Sequence, residues 1–80
     1  MKIKLIQGQF SANDALELIS KIIDTKIKFH ENKITANCTE EDIKMRERKI
    51  KHLQKDLFEA RNYISNAEII NLESEIFLNN

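Results

Sequence analysis

The chain has 80 residues, with thirteen Lys and Arg against thirteen Asp and Glu, so its formal charge is zero and global electrostatics gives no general attraction to nucleic acid or membrane. A single cysteine, Cys38, excludes an internal disulfide, and one glycine with no proline excludes the punctuation of an all-β domain. Eighty residues make one domain whose core rarely supplies more than ~3–5 kcal/mol without disulfides, metal or self-association, so an extra source of burial is expected.

Residues 1–9 read as a short strand, because Ile3 and Leu5 alternate with Lys2 and Lys4 until Gly8 breaks the pattern. Ser11, followed three residues later by Asp14, is a helix start, with Phe10 placed to staple onto Ala15. Helix 1 is predicted over 12–34. Ala15, Leu16, Leu18, Ile19, Ile22, Ile23, Ile27, Phe29 and Ile34 share one side at about 100° per residue, opposite Glu17, Lys21, Asp24, Lys28 and Glu31. A strand-like alternation at Thr25–His30 competes, but the helical phase runs through it unbroken.

Thr35–Thr39 is a connector, and Thr39 before Glu40, Glu41 and Asp42 repeats the start signal. Helix 2 is predicted over 40–67. Its seam, Ile43, Arg46, Ile50, Leu53, Leu57, Ala60, Ile64 and Ala67, is spaced alternately by three and four, which is a heptad pattern; Ile43, Ile50, Leu53, Leu57 and Ile64 are its core or oligomer-forming positions. Residues 70–78 alternate as a strand, with a frayed or helical tail as the alternative. A helical hairpin returns the chain to its start, so the termini are expected to pair antiparallel, with Lys2 and Lys4 facing Glu73 and Glu75.

The expected fold is mainly α: an antiparallel two-helix hairpin with short β segments at both termini. The apolar arc of helix 1 is wider than the ~100° stripe that one partner helix covers, which predicts a homodimeric four-helix bundle.

Chemistry finds little support. His30, Cys38 and His52 are the only soft ligands, and none stands three or four residues from another, so no metal site, cofactor or catalytic set is assigned. A Cys38–His30 nucleophile pair would need both groups in one cleft. Three polar residues occupy apolar positions: Lys26 and His30 on helix 1 and Arg46 on helix 2. They form either an interior polar cluster able to hold an anion, or long stems whose charged ends escape to solvent or pair with Glu47 or Asp42; the second reading is preferred. Lys44, Arg48, Lys51 and Lys55 make one stripe almost opposite the seam, a candidate surface for an acidic protein or nucleic acid, against the reading of an ordinary solvated face. The expectation is a non-enzymatic, self-associating interaction or scaffold module, with a small nucleic-acid-associated regulator as the alternative. A lone cysteine and the absence of a leader-like segment predict a cytoplasmic protein, with no membrane span and no small-molecule substrate.

Overall fold

The computed structural model describes residues 1–80. Its elements run β1 (Lys2–Ser11), α1 (Ala12–Lys33), α2 (Glu40–Ile64) and β2 (Ile69–Phe77), with the two strands paired antiparallel. The helical hairpin and the terminal β segments are therefore both present.

Both helices start where a side-chain oxygen meets an orphan amide. Ser11 Oγ accepts from the Asp14 N–H at 3.2 Å and Thr39 Oγ1 accepts from the Asp42 N–H at 3.1 Å, each cap residue holding an extended backbone. No helix is long and apolar enough to cross a membrane. α2 ends at Ile64, three residues short of the expected Ala67. The cause lies in Ser65 and Asn66, whose side chains both donate to the Asn62 carbonyl and so close the last turn. The Ala12 N–H then donates to the Glu68 carbonyl, tying the start of α1 to the α2–β2 link.

On α2 the residues that lose exposure are Ile43, Arg46, Ile50, Leu53, Leu57, Ala60 and Ile64, the strip turned towards α1; every other residue of that helix is exposed. The innermost residues, Ala15, Ile64 and Ile70, cluster where both helices meet the sheet, with Phe10, Leu16, Ile19 and Leu72 packed around them.

The register corrects the expected facing of charges. Lys4 does stand opposite Glu75, but Lys2 faces Phe77 and Glu73 faces Gln7. The reason is a bulge between Lys4 and Ile6. The apolar set of β1 changes phase, from odd positions at Ile3 and Leu5 to even positions at Ile6 and Phe10. With Leu5 as the extra residue, Ile3 shares the helix-facing side with Ile6 and Phe10, opposite Ile76, Ser74 and Ile70, while Lys2 and Lys4 go to the other side. Gly8 has φ +140, and nothing lies within 4 Å of where a Cβ would be, so glycine is required there by backbone angle and not by space.

Candidate functional site

Only four of 80 residues are buried, and the exposed apolar side chains concentrate around the sheet: Ile3, Leu5, Ile69, Ile76 and Phe77, with Leu78 just beyond it. Between the helix-facing side of the sheet and α1 runs a largely apolar groove lined by Ile6, Ile19, Ile22, Ile23 and Leu72, with Glu73 and Ser74 at its edge. The α1 side of this groove is the part of the apolar arc that α2 leaves uncovered. Phe58 and Tyr63 are also exposed, at 66% and 75%, on the outward faces of α2.

A second feature lies on the hairpin. Lys26 and His30 of α1 and Arg48, Lys49, His52, Leu53 and Asp56 of α2 line an open cleft. Arg46 sits behind it, its Nη1 donating to His30 Nδ1 at 2.9 Å, so His30 is neutral at that nitrogen and carries its proton on Nε2. Loss of hydration, followed by the charges of Arg46, Lys49 and Lys26, holds the His30 imidazole below its ordinary pKa. Phe29, 54% exposed, has the Lys33 ammonium 5.5 Å and the Arg46 guanidinium 5.9 Å from its ring centre.

These contacts revise the reading of the polar trio. Arg46 turns to His30 and Phe29, not to Glu47 or Asp42, because its position on the α1-facing strip leaves its guanidinium between the helices. Lys26 is exposed at the rim of the cleft, so only His30 and Arg46 are partly enclosed. Phe29, counted in the apolar arc, is more than half exposed, and the neighbours of its ring are the charged or polar His30, Lys33 and Arg46.

The stripe Lys44, Arg48, Lys51 and Lys55 is exposed throughout. Lys44 pairs with Glu40 at 3.3 Å, and Glu47 stands among Lys44, Arg48 and Lys51 around a shallow hollow, so carboxylates dilute the stripe. The cations of the adjoining cleft have fewer carboxylates at helical contact spacing. Lys26, Arg48 and Lys49 have no Asp or Glu three or four residues away in either direction. Lys21 and Lys28, which do, pair with Glu17 at 2.9 Å and Asp24 at 3.0 Å. That asymmetry was readable in the sequence. What the sequence did not give was the meeting of Lys26 with Lys49 across the hairpin, which depends on the pairing of the helices.

Cys38 lies in the connector, half-buried. Its sulfur donates to the Lys33 carbonyl at 3.1 Å and lies 3.4 Å from the Thr35 N–H. The Thr35 amide and then its hydroxyl push the thiol below its ordinary value by favouring the thiolate. The cleft that His30 lines does not include Cys38, and His30 is already engaged by Arg46. No group of three or more His, Cys, Asp or Glu side chains is placed to hold a metal ion.

Comparison with protein-family models, with curated proteins and with solved structures finds no match for this chain.

Proposed function

We propose that this protein is a non-enzymatic interaction module that works as a self-associated unit. The observation carrying this reading is the surface the single chain leaves open. A compact monomer of 9.4 kDa is expected to expose about 5,000 Å², whereas this chain exposes 6561 Å². Its radius of gyration is 15.2 Å, where about 12 Å is expected for 80 residues. The excess, about 1,500 Å² per chain, is of the size that an obligate dimer buries on each partner.

The place of that excess supports a particular geometry. Ile19, Ile22 and Ile23 of α1 border the open groove, and Ile6 and Leu72 of the sheet face them. A second copy laid with its α1 against this groove would cover both, and would bring four helices together with the two sheets at the sides. The non-enzymatic part of the reading rests on the one thiol and the half-buried imidazole occupying separate surroundings.

Sedimentation or light scattering across a hundredfold dilution tests it. A dimer or larger mass at micromolar concentration is expected; a stable monomer mass throughout, with the fold retained, overturns the proposal.

A further inference from the structure

We propose that the open basic cleft on the helical hairpin is a docking site for the phosphate backbone of single-stranded nucleic acid. Three observations meet there. First, Lys26, Arg48 and Lys49 converge from two helices although each lacks a carboxylate at helical contact spacing, while Lys21 and Lys28 of α1 are paired with Glu17 and Asp24. Like charges brought together without counter-charges repel one another, and a bound polyanion relieves that repulsion as it releases its own counterions. Second, His30, which lines the cleft, gives its Nδ1 to Arg46, which leaves its Nε2–H as a donor with no partner in the chain. Asp56 is the one carboxylate lining the cleft, and it stands 4.0 Å from His52 Nε2, against three cations.

Third, the surroundings fit an extended ligand better than a small one. The cleft is open and shares Arg48 with the neighbouring shallow hollow, where Lys51 adds a cation beside Glu47 and the paired Lys44, whereas small-molecule sites enclose most of their ligand. The exposed Phe29 beside Arg46 and Lys33 adds an aromatic surface, which bases use and an acidic peptide does not.

The test is fluorescence anisotropy of the full chain with a labelled, mixed-sequence RNA of ~20 nucleotides, titrated with salt upward from about 50 mM. The expected result is binding that weakens steeply with salt, with a slope reduced by about 0.7 for each contact removed when Lys26→Gln and Lys49→Gln are combined. The control pair Lys21→Gln and Lys28→Gln should keep the wild-type slope. Circular dichroism establishes that each variant is folded, and Lys26→Gln alone gives the one-contact reading should the double variant unfold. Absence of wild-type binding at about 50 mM salt overturns the proposal, as does an unchanged slope in the folded Lys26→Gln, Lys49→Gln variant. Displacement of the RNA by an equal charge of polyglutamate would also overturn it, in favour of an acidic protein partner. The mass in the same buffer is read separately, so loss of RNA binding and loss of self-association are distinguishable.

Discussion

At the scale of single residues, His30 shows how the fold sets chemistry that composition does not. An imidazole on an apolar arc has two ways to avoid an uncompensated buried charge: find a carboxylate or stay neutral. Here it stays neutral, because the nearest strong partner is the Arg46 guanidinium, which only donates. In the unfolded chain the ring titrates at its ordinary value, while in the fold it takes a proton less readily. The stability it contributes is therefore complete above the ordinary imidazole range. It is lost as pH falls through that value towards the lower folded one, and changes no further below both. NMR titration of the His30 ring should show the depressed value, and Arg46→Ala should raise it part of the way back, since loss of hydration is the larger cause. Gly8 is a second such case. Gly8→Ala has room for its methyl, yet it should cost more than about 1 kcal/mol in urea denaturation, because alanine resists the positive φ. Neither effect was visible in the linear chain: the alternation marked Gly8 only as a break, and Arg46 was expected to find an acid.

At the scale of elements, caps and periodicity carried most of the information. Ser11 and Thr39 accept from Asp14 and Asp42 in the structure, so replacing either cap by Ala should destabilise the fold by about 0.5–2 kcal/mol, measured by chemical denaturation. The three-four spacing of α2 coincides with the residues that lose exposure, and Leu53 is the most enclosed of those in mid-helix. Leu53→Ala should cost about 2–5 kcal/mol, and Leu53→Asp should abolish the cooperative thermal transition by placing an unpaired charge in the helix contact. The strands were legible as alternation, but their register was not. It turns on the Leu5 bulge, which the phase change between Leu5 and Ile6 announces only once it is known which side faces the helices. α2 stops short of the expected Ala67 because Ser65 and Asn66 turn their side chains back onto the Asn62 carbonyl, a closure that the three-four spacing does not report.

At the scale of the whole molecule, the chain is spread over 45 × 32 × 13 Å, thin in one direction, with its innermost cluster confined to the junction of helices and sheet. So thin a body has two large surfaces and little interior, and the proposed second copy would supply the missing layer. Ile23→Asp, facing the groove, should then shift the mass towards monomer by sedimentation while Phe58→Asp, on the far side of α2, should leave it unchanged. The amino-acid sequence by itself determined the order and kind of elements, the helix starts and the α2 strip, because caps and periodicities are set by residues within a few positions of one another. Only the tertiary structure decided the strand register, the neutral His30 beside Arg46, the cleft that joins Lys26 to Lys49 and the open groove beside the sheet. Each of these depends on groups distant in the chain being brought together, and nothing local in the sequence specifies which faces will meet.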